Sequence, residues 1–173
     1  VPRADSALAA ENASGHGMTL SPEQGARLVA LLTDIAIINQ LTSAAATRVL
    51  APQLGLSEYS LLNHMVRRGD GETPTRLARA FQVSKPSMTA TIGRLAAKGL
   101  ARVEGDAEDG RAKRLRITDA GRTAHAQGRA RLATLQSELF DGYDIVALIE
   151  HADALARLRE HLDAQRNLRD GLA

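Results

Sequence analysis

The sequence predicts a mainly α protein with a small two-stranded β-wing, a winged helix-turn-helix flanked by long dimerisation helices. Three observations point there. Alanine and leucine make up about a third of the 173 residues, and both favour helix. The hydrophobic period is helical through most of the chain but turns to alternation at Arg114-Leu115-Arg116-Ile117; with Leu100 and Val103 this marks two short strands. The order around that switch is short helix, tight turn, helix, hairpin, the arrangement in which the second helix lies in a DNA major groove.

Each element has its own signal. Residues 1–20 are poor in large apolar groups and read as a loose tail. Ser21-Pro22-Glu23-Gln24 starts a helix: Ser21 can cap, Pro22 suits the first helical position, and Gln24 completes a capping box. Leu28, Leu31, Leu32, Ile35, Ile38, Ala45, Ala46 and Val49 then recur at helical spacing up to Ala51-Pro52. Such a helix is long for a lone small domain and suits packing against a partner chain. Ser57 is placed to cap a second helix on Leu61, Leu62, Met65 and Val66, broken at Gly69-Asp70-Gly71. Thr73-Pro74 restarts a short helix on Leu77, Ala78 and Phe81. After the turn Gln82-Val83, Ser84 caps a helix that runs to Lys98 and stops at Gly99. Gly105 to Ala112 is a polar hairpin tip. Thr118 caps a helix that reaches Phe140, with Gly121 and Gly128 inside it and Gly142 after it. From Tyr143 one last helix carries Ile145, Leu148, Ile149, Ala152, Leu155, Leu158 and Leu162 on a stripe. The chain thus divides into a tail (1–20), an N-terminal dimerisation helix and connection (21–56), a winged lobe (57–118) and C-terminal dimerisation helices (119–173).

Composition narrows the function. With no cysteine there is no disulfide framework, thiol nucleophile or zinc ribbon. The histidines at 16, 64, 125, 151 and 161 form no i, i+4 pair, so no metal and no cofactor are expected. There is no Gly-rich phosphate loop and no nucleophile elbow, so the chain does not read as an enzyme. Apolar runs such as Leu28 to Ile38 are broken by Thr33 and Asp34, short of the ~18 residues of a membrane span, and the N-terminus lacks a secretory pattern. A cytoplasmic, nucleoid-associated protein without a membrane partner is the expectation. The net charge of +2 hides a polarity: residues 67–131 hold 15 Lys and Arg against 7 Asp and Glu, net +8, and the rest of the chain is net −6. A basic middle between acidic ends is the electrostatic footprint of a polyanion partner.

Four stretches, taken in order and at their spacing, resemble the MarR (multiple antibiotic resistance regulator) family. They are Thr73 to Phe81, Ser84 to Thr89 with Arg94-Leu95 and Lys98-Gly99-Leu100, the wing Asp106-Ala107-Glu108-Asp109-Gly110-Arg111, and the strand-to-helix exit Leu115 to Gly121. The resemblance covers about residues 57–123. It implies a homodimeric regulator of transcription, in the repressor sense, that binds an inverted-repeat operator in double-stranded DNA and is released by a small aromatic or anionic effector. It also implies roles. Thr75 and Arg76 would meet DNA from the first helix of the motif. Ser84, Lys85, Pro86, Ser87 and Thr89 would do so from the first turns of the recognition helix, where small hydroxyls and a basic head suit phosphates and base edges. Arg94 would meet a phosphate, or form a surface ion pair. Arg111 would enter the minor groove, or pair with Asp109 and shape the hairpin, with Lys113 and Arg114 on the adjoining backbone. Tyr59, Asn63 and His64 would line an effector pocket. Two departures stand out: Ala90 and Gly93 sit where larger polar residues are common, and Gly110 replaces a wing arginine. The rival reading is a winged helix that binds protein without specific DNA binding.

Overall fold

The computed structural model describes residues 19–105 and 113–169. They form two compact units, one up to Ser43 and one from Ala44 onward. Helix α1 (Pro22–Leu50) supplies the secondary structure of the first and enters the second. Then follow α2 (Leu56–Arg68), α3 (Pro74–Ala80), α4 (Lys85–Ala97), β1 (Ala101–Gly105), β2 (Lys113–Ile117), α5 (Asp119–Leu139), α6 (Ile145–Ile149) and α7 (Ala152–Arg169). The mainly helical class with one antiparallel hairpin agrees with the sequence expectation.

Short-range chemistry sets most helix starts. Ser21 and Gln24 close a capping box, Gln24 N donating to Ser21 Oγ at 3.2 Å and Ser21 N to Gln24 Oε1 at 2.9 Å. Thr73, Ser84 and Thr118 each accept a backbone N–H three residues ahead. Helix α2 departs from expectation. Its N-cap is Gly55, not Ser57, because Glu58 reaches back to accept the Gly55 N–H at 2.8 Å. The single C-terminal helix expected from Tyr143 is also two helices. At the break, His151 Nδ1 donates to the Ala147 carbonyl at 2.9 Å and the His151 backbone N–H to the Leu148 carbonyl at 3.2 Å.

The core of the second unit gathers Leu50, Leu54, Leu61, Leu62, Met65, Leu77, Ala78, Met88, Ile92, Leu95, Ala101, Leu115 and Ile117. Val66, expected inward, is exposed; Phe81 packs on the core while partly open. The hairpin pairs Ala101 with Ile117, Arg102 with Arg116 and Glu104 with Arg114. Gly71 N donates to the Leu115 carbonyl at 2.7 Å and Leu115 N to the Glu72 carbonyl at 3.1 Å, so the segment before α3 lies along β2. At the start of α5, Thr118 Oγ1 donates to the Gly99 carbonyl at 2.8 Å and Thr118 N to the Leu100 carbonyl at 3.2 Å. This draws α5 so close to the hairpin root that a Cβ on Gly121 would overlap the Leu100 carbonyl oxygen.

Helix α1 corrects one reading. An 18-residue window of it has a mean hydropathy of 1.5, long and apolar enough, by length and composition, to cross a membrane. Thr33 and Asp34 interrupt the run, yet the average stays at 1.5 with both included. Leu28, Val29, Leu31, Leu32, Ile37, Ile38 and Leu41 are all exposed in the single chain. So are Tyr143, Ile145, Val146, Leu148, Ile149, Leu155 and Leu162 toward the C-terminus, and α6 has no buried residue.

Candidate nucleic-acid interface

The short turn Gln82-Val83 and the Ser84 cap bring α3 and α4 together as a helix-turn-helix. Val83 N donates to the Ala78 carbonyl at 3.0 Å, and Gln82 takes a left-handed φ of 55°. Met88, Ile92 and Leu95 anchor α4 in the core, which leaves Ser84, Lys85, Pro86, Ser87, Thr89, Ala90 and Gly93 outward. The Ser84 hydroxyl oxygen accepts the Ser87 N–H at 3.3 Å, so toward an outside partner it has its O–H to offer. Lys85 is exposed and pairs with no acid among the described residues. On α3, Thr75 is exposed; the Arg76 side chain is 76% exposed and holds Glu72 only loosely, Nε to Oε2 at 3.6 Å. Arg79 lies exposed on the same helix.

Arg94 is engaged inward. Its Nε donates to Glu58 Oε1 at 3.2 Å, and its Nη2 to Ser57 Oγ at 3.2 Å and Thr91 Oγ1 at 3.0 Å. Glu58, 2% exposed, also accepts Lys98 Nζ at 2.6 Å. Burial pushes the Glu58 pKa up, but the Lys98 and Gly55 hydrogen bonds and the charges of Lys98 and Arg94 outweigh it and hold it below the ordinary value. The arrangement locks the start of α2 to the end of α4. Neither Glu58 nor this role of Arg94 and Lys98 has a local sequence signal, because the partners lie 36 and 40 positions away.

The hairpin is held at its root. Arg102 and Arg116 stand opposite each other, and Glu104 lies between them, at 2.6 Å from Arg102 Nε and 3.4 Å from Arg116 Nε. Asp70 accepts Arg116 Nη1 at 3.0 Å and the Ile117 N–H at 3.1 Å. Burial raises the Asp70 pKa, and these hydrogen bonds with the Arg116 and Arg122 charges more than offset it, leaving it lowered. Arg114 Nη1 donates to the Gly71 carbonyl at 2.9 Å, while Lys113 is exposed. Arg111 lies outside the described residues.

The three residues expected at an effector pocket lie on one side of α2 and face different partners. His64 Nε2 is 2.6 Å from Glu72 Oε1 and its ring meets Phe81 edge-on at 5.3 Å. Asn63 Oδ1 accepts from His125 Nε2 at 3.1 Å, and Tyr59 stacks on the His125 ring at 5.5 Å. A cleft of about 320 Å³ runs past Tyr59, Ser60, Asn63, His64, Arg67, Arg68 and Phe81. Arg67 and Arg68 were not expected from sequence, and Phe81 was expected only as an apolar-face residue; the signal for the cleft was the basic end of α2 beside the aromatic that follows α3.

His125 is buried, and burial, with the Arg129 charge second, pushes its pKa below 6.5. The unfolded chain therefore binds a proton before the native one does as pH falls. The stability tied to the neutral ring is complete above pH 6.5 and is lost as pH falls through the native pKa. Thermal melts across that range should show a shallower acid-side fall for His125→Gln than for the unsubstituted chain. Equal slopes would mean that the native ring titrates as freely as the unfolded one.

Residues 53–112 match the MarR family model. No curated protein matches the sequence. Among solved structures, BldR, a transcriptional regulator from Sulfolobus solfataricus, is 23% identical with a TM-score of 0.66 over 76% of this chain and 95% of its own. A mutant of MarR from E. coli, complexed with operator DNA, is 21% identical with a TM-score of 0.63 over 75% and 95%. CouR from Rhodococcus jostii RHA1, bound to p-coumaroyl-CoA, is 20% identical with a TM-score of 0.61 over 72% and 87%. At these identities the likeness is one of fold.

Proposed function

From a lobe that matches the MarR family and a fold shared with its solved regulators, we propose that this chain is a sequence-specific double-stranded-DNA-binding regulator of transcription. The observation that carries it is the outward first half of α4, with Lys85 unpaired among the described residues and Thr89 open, beside the exposed Arg76 and Arg79 of α3. Ser84, Ser87 and Thr75 add hydroxyls on that surface, and Lys113 and Arg114 extend it to the hairpin; Arg111, outside the described residues, is added on the sequence resemblance alone. Arg94 acts here by holding α4 on α2, with its half-exposed side chain able to add a phosphate contact.

The chain works as a homodimer on an inverted repeat. The exposed apolar side chains of α1, α6 and α7 need a cover, and a second copy supplies it. A bilayer suits α1 less well. Asp34, Asn39 and Gln40 would sit among its apolar residues, and one aspartate at a bilayer centre alone costs about 3 kcal/mol. The cleft beside Tyr59, Asn63 and His64 takes a small aromatic anion, since Arg67 and Arg68 offer charge and Tyr59 and Phe81 offer ring faces. Effector binding there releases the operator, in the manner of a repressor.

Selection of bound fragments from source genomic DNA tests this directly. Enrichment of an inverted repeat near a promoter supports the regulator. No enrichment at low salt from a folded dimer would turn the reading to a protein-binding winged helix. Lys85→Ala is expected to weaken a recovered fragment and a random-sequence duplex alike, and to shallow the log–log salt dependence by about 0.9 per copy. A loss confined to the recovered fragment would mean that Lys85 reads a base.

A further inference from the structure

The turn of the helix-turn-helix is tied to the C-terminal helix. Gln82 Nε2 donates to Asp163 Oδ1 at 2.7 Å across 81 positions of sequence. Gln82 is the one non-glycine residue with positive φ among the described residues, at 55°. That conformation is costly for a residue with a side chain unless its surroundings hold it. Its backbone is held by Gln82 N donating to the Arg79 carbonyl at 3.1 Å, and its side chain by Asp163. Asp163 is itself oriented on α7 by Arg159 at 3.7 Å, one turn before, and Arg166 at 3.8 Å, one turn after.

Packing does not do this job. Between α3 and α7 lies a cleft of about 380 Å³, lined by Glu72, Arg76, Arg79, Gln82, Asp163 and Arg166. No residue of α7 whose side chain is described is buried. Where two elements meet across a solvent-filled cleft, a charge-assisted hydrogen bond decides their spacing.

We propose that Asp163 is a positioning residue for DNA reading, accepting from Gln82 so that α7 sets the helix-turn-helix turn and with it the first turn of α4. The role rests on the DNA-binding reading above. It gives that reading a route of control: Leu155 and Leu162 are exposed on α7, so whatever covers them places Asp163, and Asp163 places the turn.

The test is a set of variants of the full chain, titrated by fluorescence anisotropy against a fragment recovered from the genomic selection and against a random-sequence duplex. Asp163→Ala should weaken the recovered fragment about three- to tenfold, the effect of one hydrogen bond. Gln82→Asn keeps a residue tolerant of positive φ but shortens the reach, and should match it. The double variant should be no weaker than either single one. Asp163→Asn, whose amide oxygen still accepts from Gln82, should restore most of the affinity. Asp163→Ala should also speed amide exchange at residues 82–88 without lowering the melting temperature by more than the Gln82→Asn change does. Unchanged affinity for Asp163→Ala, or additive losses in the double variant, would overturn the latch while leaving the regulator intact. An unsubstituted chain that binds neither duplex at low salt would overturn the DNA-binding reading itself, and this role with it.

Discussion

Replacing Gly121 with alanine is expected to destabilise the protein by about 3 kcal/mol or more, at the severe end of overpacking. The new Cβ would overlap the Leu100 carbonyl oxygen and stand 3.0 Å from the Leu100 carbonyl carbon and 2.9 Å from Ile117 Cγ1. Two of those three are backbone atoms, which cannot swing aside. The Leu100 carbonyl is further held by Thr118 N, and Thr118 by the Gly99 carbonyl. Relief would need α5 to lift from the hairpin root, breaking the cap that starts the helix. Gly93→Ala is the matched control: nothing lies within 4 Å of its Cβ, and mid-helix alanine is favoured over glycine by about 1 kcal/mol. Urea unfolding of the two variants should move in opposite directions. A Gly121→Ala midpoint at the unsubstituted value would mean that the hairpin root yields freely.

Val146→Arg is expected to abolish dimerisation and weaken binding to a recovered operator fragment at least about a hundredfold. Val146 is 64% exposed in the single chain, on a helix with no buried residue, so the change asks little of the isolated fold, within about 0.5 kcal/mol. In a two-fold dimer the substitution appears twice and places two unpaired charges in an apolar contact. Losing the second copy removes the tethered second half-site contact, which is where the hundredfold arises. Sedimentation of both proteins with the binding titration checks this. A monomeric unsubstituted chain, or a dimeric Val146→Arg variant, would show that the α6 stripe serves another partner.

What was legible in the sequence was what neighbours decide. Ser21 with Gln24, Thr73 with Pro74, Ser84 and Thr118 act within three residues of themselves, and the structure has each where its spacing placed it. Met88, Ile92 and Leu95 of α4 stand at helical spacing in the sequence and are buried together, and the strand pair followed from alternation. What escaped was decided at long range or by competition. Ser57 is a plausible cap until Glu58 is seen to satisfy Gly55 while itself neutralised by Lys98 and Arg94 from another helix. The same contact gives Arg94 the ion pair held open as its alternative role, but with a buried acid from another helix rather than a surface one. Asp70, in a segment read only as a breaker, turns out to clasp Arg116 and the Ile117 amide 47 positions on. The helix break at His151 coincides with a side-chain bond to the Ala147 carbonyl, which periodicity cannot register.

The outward strip of α4 has a consequence for how such a protein changes over time. Thr89, Ala90, Gly93, Ala96 and Ala97 face away from the core, and a larger side chain at Gly93 would meet open space. Apart from Arg94, which ties α4 to α2 while its side chain stays half-exposed, the anchoring residues and the outward residues are separate sets. Side chains can therefore be added to this outward face without disturbing the core residues that hold the helix in place, and most such additions at Gly93 would strengthen the helix as well. On the DNA-binding reading proposed above, stability and sequence preference are uncoupled at Gly93, so a new preference can arise there without a poorly folded intermediate.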